Sequence, residues 1–228
     1  MTVKQILSWL ESLGDPKNVA GMARYGIIAN KAFGVSAPAL SSIAKEIGRS
    51  HELALKLWAT EIYDARILAA FIDEPKHTTE VQMELWVKDF DNWAICDGVC
   101  LHLFRKTPFA WKKTKQWTKR KEEFVKRAGF TLMATLAVHD KEADDKKFIQ
   151  LLPIIKRESR DERNGVKKAV NWALRQIGKR NTALNKSAIE TAKEIKKIDS
   201  PAARWIASDA LRELQSKAVQ KRLKNKLD

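Results

Sequence analysis

Helical segments recur along this chain, and their recurrence limits the possible folds more than any other feature. Four of them carry a large aromatic or cationic residue at comparable places, at successive separations of 34, 45 and 33 residues: Trp93, Arg127, Trp172 and Trp205. HEAT and armadillo repeats have periods of this order. The spacing therefore predicts an all-α fold, a curved, right-handed solenoid of HEAT-like or armadillo-like helical repeats.

Every second helix of such a solenoid lines the same concave wall. One residue from each inner helix then points into a shared groove. We therefore expect convergence of four residues that lie far apart in the sequence: Trp93, Asp97, Arg127 and Trp172.

Apolar residues follow a helical period along most of the chain. Thr2 is expected to cap the first helix, and Ser36 is expected near the cap of a helix with Pro38 in its first turn. Further helices are predicted at 38–48, 51–60, 62–72, 78–89, 92–104, 109–117, 121–138, 144–157, 163–179, 183–197 and 201–213, before a basic C-terminal helix. Strand alternation is not evident.

The chain is long enough to bury one full core, with 228 residues of which 44% are hydrophobic. We predict a single helical-repeat domain over residues 1–228 with a basic concave groove, and we expect a monomer. No apolar run is long enough to cross a bilayer, and the first residues lack the apolar core of a signal peptide. We therefore expect a cytoplasmic, nucleoid-associated protein without a membrane partner.

Positive charge is concentrated in the second half of the chain. The net charge is +15; residues 1–100 carry 10 Lys/Arg against 13 Asp/Glu, whereas residues 101–228 carry 33 against 15. Such an excess attracts polyanions, of which nucleic acid is the most abundant in cytoplasm. A single lysine usually belongs to a solvated helix face. The collective excess predicts a surface that binds the nucleic-acid backbone, and it includes Lys113, Lys168, Arg175 and Lys179.

The segment from Asp91 to Val99 contains the strongest candidate site. If it is a helix capped by Asp91, Trp93 and Asp97 lie one turn apart on the same face. An indole face and a carboxylate both attract cations, so the pair suits a site that stabilises positive charge. Taken alone, a helical tryptophan is more often part of the core, and an isolated aspartate is more often solvated.

The same Trp-x-x-x-Asp spacing recurs at Trp205 and Asp209, so the spacing alone is a weak indicator. We interpret Trp205 as packing between the last helices. Asp209 is interpreted as a helix-surface partner for Arg212 or Arg204.

Cysteines and histidines give no sign of a metal or cofactor. A disulfide between Cys96 and Cys100, four residues apart on one helix, would strain the backbone, so we expect reduced thiols. The four histidines are scattered without ligand spacing. We predict neither a metal ion nor a cofactor.

Several motifs of this chain resemble the AlkD-type DNA alkylation repair family. The resemblance extends over the whole chain and rests on Met22-Ala23-Arg24-Tyr25, the segments 33–38, 93–97 and 169–175, Arg127-Ala128, and the segment 203–212. Members of that family are HEAT-like solenoids that excise N3- and N7-alkylated purines from duplex DNA. The resemblance implies the same fold and activity here, with alkylated double-stranded DNA as the partner.

The resemblance also implies roles for individual residues. Trp93 and Trp172 match the aromatic pair that packs against the backbone of the modified nucleotide, and Asp97 matches the catalytic carboxylate. Tyr25 matches a third aromatic residue and Arg127 an arginine beside the cleft. DNA contacts are implied for Arg175 and expected for Lys113, Lys168 and Lys179. The segment Ala94-Ile95-Cys96 is poorer in aromatic residues than is usual for the family, which bears on lesion preference.

The chemistry of alkylated purines suits this residue set. Alkylation at N3 or N7 makes the base a cationic leaving group, and its departure leaves an oxocarbenium-like sugar that a carboxylate stabilises. No lysine nucleophile is required, so we predict a monofunctional glycosylase of base excision repair. The resemblance implies that the groove grips the backbone, so that the base need not enter a tight pocket. The alternatives are a non-catalytic module that binds DNA or structured RNA, and a protein-binding solenoid.

Overall fold

The protein is helical throughout the part of the chain described by the computed structural model, residues 1–29 and 31–225. This part contains no strand. Its α-helices are α1 (Val3–Ser12), α2 (Pro16–Arg24), α3 (Ala37–Ile47), α4 (His51–Trp58), α5 (Tyr63–Ile72), α6 (Glu80–Lys88), α7 (Trp93–His102), α8 (Ala110–Trp117), α9 (Glu123–His139), α10 (Asp145–Ile149), α11 (Leu152–Glu158), α12 (Asn164–Gly178), α13 (Thr182–Lys196), α14 (Pro201–Leu214) and α15 (Lys217–Lys224). A short 3-10 helix spans Phe104–Lys106. The all-α prediction is confirmed.

Two helix starts agree with the caps expected from the sequence. Thr2 caps α1 by accepting a hydrogen bond from the backbone N–H of Gln5 at 3.3 Å, and the Gln5 side chain accepts from the Thr2 N–H in return. Ser36 caps α3 by accepting from the N–H of Ala39 at 3.4 Å.

Two details of the predicted helices are wrong. Asn92, and not Asp91, caps α7, because its side-chain oxygen accepts from the N–H groups of Ala94 and Ile95, each at 3.0 Å. The single helix predicted at 144–157 is divided into α10 and α11. Pro153 explains the break, since proline has no N–H to donate and its ring clashes with the carbonyl of the residue four positions earlier, Ile149, where α10 ends.

The contacts divide the chain into two compact units, residues 1–109 (unit 1) and residues 110–228 (unit 2). In unit 1, α5 packs between α3 and α7, with α4 also against α5. In unit 2, α12 packs against both α9 and α14, and α13 covers α12 and α14. Each unit thus has one layer of neighbouring helices, α3, α5 and α7 or α9, α12 and α14. One domain over residues 1–228 stays a prediction.

Unit 1 fixes its first long loop through a buried carboxylate. Asp64 on α5 is fully buried and accepts hydrogen bonds from the N–H groups of Phe33 at 2.6 Å, Gly34 at 3.4 Å and Val35 at 2.8 Å. Gly34 has a φ of +79°, and a Cβ there would overlap the carbonyl oxygen of Asp15. These contacts hold the chain that enters α3 against α5.

Aromatic side chains fill part of each core. Trp58 and Trp86 stack in unit 1 with ring centroids 4.0 Å apart, and the Trp58 Nε1–H donates to Asp89 at 2.8 Å. In unit 2 the core is built from helices α9 to α14, and Trp111 and Trp172 pack against it. Within residues 1–29 and 31–225, no helix has both the length and the apolar character needed to cross a membrane.

Candidate nucleic-acid site

Trp93 begins α7 and lies at the surface of unit 1. Its side chain is 39% exposed, yet its Nε1–H donates to the backbone carbonyl of Tyr25 at 2.8 Å. Tyr25 directly follows α2 and is 74% exposed. The hydrogen bond therefore holds an exposed indole beside a second exposed aromatic residue, although 68 positions separate the two in sequence.

Asp97 lies one turn after Trp93 on α7 and is half-buried. Positions i and i+4 of a helix share a face. The opposite side of α7 is buried and contributes Ile95, Cys96, Val99 and Cys100 to the core of unit 1. Burial of that apolar side leaves the indole and the carboxylate on the face that solvent reaches. Cys96 and Cys100 are both buried and are not joined by a disulfide, in agreement with the reduced thiols expected from the sequence.

Arg127 and Trp172 belong to two packed helices of unit 2, α9 and α12. Arg127 is only 6% exposed, and its Nη1–H donates to the carbonyl of Gly165 at 2.6 Å. Gly165 is in the first turn of α12, so this bond fixes α12 to α9. Trp172 is half-buried, with part of its ring against the core and part open to solvent.

Arg175 and Lys179 are held in an ion-pair network between α12 and α14. Both pair with Glu213, and Arg175 Nη1 is also 3.5 Å from Asp209 Oδ2. Asn171 donates to the same Asp209 oxygen at 2.7 Å. We call these five residues the α12–α14 ladder. Residues 171, 175 and 179 are spaced by one helical turn, as are 209 and 213, a pattern that fits two facing helix surfaces. The charge pattern alone had predicted only DNA contacts for these cations.

The ladder changes the acidity of its central carboxylate. Burial alone would raise the pKa of Glu213, but the hydrogen bond from Lys179 and the charge of Arg175 outweigh it and hold that pKa below its ordinary value. Glu213 is therefore ionised at neutral pH and neutralises part of the charge expected to face DNA.

Lys113 is buried and does not lie on the basic surface expected from the sequence. Its side chain is 2% exposed, its Nζ donates to Gln116 at 3.0 Å, and it lies 5.8 Å from the ring centroid of Trp117. The expected DNA contact is wrong for this residue, because an ammonium group buried in unit 2 cannot reach a phosphate outside it. Lys168, by contrast, is exposed on α12.

Trp205 also departs from its interpretation as a packing residue. It is 42% exposed, and Lys167 Nζ lies 5.4 Å from its ring centroid. The buried side of α14 is formed instead by small and aliphatic residues such as Ala203 and Ile206. The interpretation of Asp209 is confirmed, since it pairs with Arg212. Arg204 pairs with Asp199 at 2.8 Å.

The side chains described in the two units are carboxylates, indoles and cations. Across residues 1–29 and 31–225, no group of three His, Cys, Asp or Glu side chains is placed to hold a metal ion. What the arrangement offers is π surface and a carboxylate in unit 1, and aromatic and basic side chains in unit 2.

Comparison with known proteins identifies the family. No match was found among the curated proteins. A solved structure from a family described as related to the HEAT-like repeat DNA glycosylases, with affinity for branched DNA structures, is 24% identical, with a TM-score of 0.82 over 98% of this chain and 96% of that chain. This likeness shows the HEAT-like repeat fold. The family model described as DNA alkylation repair enzyme matches residues 6–214. The chain therefore belongs to the DNA alkylation repair enzyme family, which confirms the resemblance found in its motifs.

Proposed function

We propose that this protein is a monofunctional DNA glycosylase that hydrolyses the N-glycosidic bond of N3- and N7-alkylated purines in duplex DNA. The observation that carries the proposal is the pairing of Trp93 and Asp97 on the solvent-facing side of α7, with the indole held by its bond to Tyr25. Membership of a DNA alkylation repair family supports the same reaction class. In this proposal the product is an abasic site that enters base excision repair.

The proposed reaction breaks the bond between C1′ of the sugar and the purine nitrogen. The bonding electron pair leaves with the alkylated base, whose positive charge is thereby neutralised. Positive charge develops on the sugar, and the Asp97 carboxylate stabilises it. Water then adds at C1′ and loses a proton, for which Asp97 is the acceptor.

The remaining roles follow from where the side chains lie within each unit. Trp93 supplies a π face that favours a cationic nucleotide and reduces water around the carboxylate one turn along α7, and Trp172 supplies a second such π face in unit 2. Arg127 is a positioning residue, because its guanidinium is buried and fixes α12 to α9. DNA contacts are proposed for Tyr25, Lys168, Arg175 and Lys179. Arg175 and Lys179 would first have to leave Glu213 and bind a phosphate instead.

Base release is the direct test. We expect purified protein to release N7-methylguanine or N3-methyladenine from methylated duplex DNA, without cutting the strand. Asp97→Asn should lower the single-turnover rate by about 100-fold or more, with duplex affinity retained. Asp199→Asn, which removes the same charge from a fully exposed side chain, is the matched control and should leave the rate unchanged. Equal rates for wild type and Asp97→Asn would contradict the catalytic assignment.

A non-catalytic DNA-binding module is the second candidate function. Residues 110–228 carry 31 Lys/Arg against 15 Asp/Glu, and the related solved structure is from a family with affinity for branched DNA. This candidate predicts tight, salt-sensitive binding of branched DNA or structured RNA without base release. A protein-binding solenoid predicts no salt-dependent DNA affinity. Measuring base release and binding on the same methylated substrate separates the three.

A further inference from the structure

A basic cleft opens in unit 1 where the last turns of α3, α5 and α7 meet. Its volume is about 530 Å³. The side chains that matter for its chemistry are Ser41, Lys45, Arg49, Phe71, His102 and Lys106. Phe71 and His102 form one wall, with their rings edge to face and 4.3 Å between centroids.

The cleft has cations and no lining carboxylate. No Asp or Glu is among its lining residues, and across residues 1–29 and 31–225 no carboxylate forms a salt bridge with Lys45, Arg49 or Lys106. Unit 1 as a whole carries 12 Lys/Arg against 13 Asp/Glu, so the cleft departs from the nearly even charge balance of its unit. Two other lysines of the unit do pair with carboxylates, Lys31 with Glu61 and Lys56 with Glu52.

Helix capping explains one of these cations. Arg49 Nη1 donates to the carbonyls of Phe71 and Asp73, each at 2.7 Å, and so satisfies the end of α5. Lys45 is in the last turn of α3, where the helix dipole favours a cation. In the described part of the chain, neither Lys45 nor Lys106 donates to a carbonyl. Capping therefore leaves two ammonium groups that are available for a ligand.

The like charges in and beside the cleft repel one another. Burial is the main cause that lowers the pKa of Lys106, and the positive charges of Arg49 and Arg105 lower it further. An anion bound between these side chains would remove that repulsion. Lysine, arginine and serine side chains are donors that commonly bind phosphate oxygens in proteins. The cleft has two lysines, one arginine and one serine.

We infer that this cleft binds a phosphodiester group of the DNA backbone through Lys45, Lys106 and Arg49. The inference rests on the proposed DNA-binding function and adds a backbone contact in the unit whose total charge gives no sign of one. His102 ends α7, nine residues after Trp93, which is about 14 Å along the helix axis. The bound phosphate therefore belongs to a nucleotide within a few base pairs of the one that Trp93 contacts.

Salt-dependent binding of an unmodified 20-base-pair duplex tests the site. Lys45→Gln and Lys106→Gln should each weaken duplex binding by about 3- to 10-fold near 0.1 M salt and lower the slope of log affinity against log salt by about one. Lys56→Gln removes the same charge from the same unit at a position paired with Glu52, and should leave both values unchanged. Arg49 is not substituted, because its loss would also uncap α5. Slopes equal to that of wild type in both variants would overturn the inference.

Inorganic phosphate distinguishes a backbone phosphate from a free anion. The melting temperature is measured in phosphate and in chloride at equal ionic strength. A free-anion site would show phosphate stabilising wild type but neither variant, while the salt slopes of DNA binding in both variants stay at the wild-type value. That result would contradict the inference. Base release at saturating DNA is measured separately. If wild type releases no base but Lys45→Gln and Lys106→Gln lower the salt slope of duplex binding, the glycosylase proposal is wrong and the phosphate site is supported.

Discussion

At the scale of the residue, Trp93 is fixed without being buried. An exposed indole normally samples several rotamers, and ordering it on binding costs free energy. The hydrogen bond from its Nε1 to the Tyr25 carbonyl orders the ring in advance. A ligand that packs on the indole then loses less side-chain entropy. Trp93 is thus prepared for contact in a way that its sequence position alone does not reveal.

Tyr63 gives a pH-dependent prediction. Burial, together with the nearby charges of Asp64 and Asp91, raises the pKa of Tyr63 to about 12, whereas in the unfolded chain it titrates near its ordinary value of about 10. Between these values the folded state holds more protons than the unfolded state, so the free energy of unfolding falls as pH rises.

We expect Tyr63→Phe to abolish the part of the alkaline fall in the free energy of unfolding that comes from Tyr63. Relative to the variant, wild type should lose about 1–2 kcal/mol of stability as pH rises from 9 toward 12. Urea unfolding of both proteins at each pH gives the difference between their free energies of unfolding. The titration of the lysines is the same in both proteins and does not contribute to this difference. A constant difference across the range would show that burial of Tyr63 does not hold its proton.

At the scale of the element, helix packing in unit 2 depends on a close approach of α8 and α9. A Cβ built on Gly129 of α9 would lie 2.8 Å from both the backbone nitrogen and the side-chain methyl of Thr118, just beyond α8. Gly21 in α2 has no atom within 4 Å of such a Cβ. Both glycines are in helices, but only Gly129 is at a position where a side chain would overlap a neighbouring segment.

Alanine substitutions at these two positions should have opposite effects. Gly21→Ala should raise the free energy of unfolding by about 0.5–1 kcal/mol, because alanine favours the helix and restricts the unfolded chain. Gly129→Ala should lower it by about 1–3 kcal/mol, because the backbone of Thr118 cannot move aside freely. Chemical denaturation of both variants measures the two changes. Stabilisation by both substitutions would mean that α8 and α9 are not in close contact.

The α12–α14 ladder makes a second prediction at this scale. Glu213→Gln removes the anion that pairs with Arg175 and Lys179, so the variant should unfold about 1–3 kcal/mol more easily at neutral pH. Because the pKa of Glu213 is lowered in the folded state, its contribution is present above the unfolded pKa and is lost as pH falls. The gap between wild type and variant should therefore close in acid.

DNA binding by the same variant tests the proposed contacts. If Arg175 and Lys179 exchange Glu213 for phosphates, the duplex affinity of Glu213→Gln should rise, because no ion pair must be broken first. Arg212→Gln, on the exposed side of α14, is a control that breaks only the pair with Asp209. Unchanged affinity in Glu213→Gln would assign the two cations to folding alone.

At the scale of the molecule, the helical fold and the family were predictable from local pattern. Apolar periodicity and caps such as Thr2 are short-range signals, so most helices were found within two residues of their ends. Two errors are local, the cap of α7 and the break at Pro153. The others concern side chains whose environment depends on how helices pack. Lys113 is buried although its basic segment predicts a solvated face, and the cleft around Lys45 and Lys106 joins cations 61 residues apart. Counting charge along the chain detects neither.

The convergence expected of Trp93 and Trp172 concerns both units and is testable through function. If the two indoles act on one nucleotide, Trp93→Ala and Trp172→Ala should each slow single-turnover base release by about 10- to 100-fold. The double variant should lose at least 10-fold less than the product of the two effects, because the second substitution removes an interaction already weakened by the first. Trp172→Phe, which retains most of the packing against the core of unit 2, separates this coupling from misfolding.

The control cycle pairs Trp93 with Trp205, which is also exposed and lies on the next helix of the unit 2 layer. Its effects should multiply, since residues without a common partner act independently. If the rate effects of Trp93→Ala and Trp172→Ala also multiply, the two indoles contact different parts of the DNA. Each unit would then bind its own part of the DNA, and catalysis would depend on α7 alone.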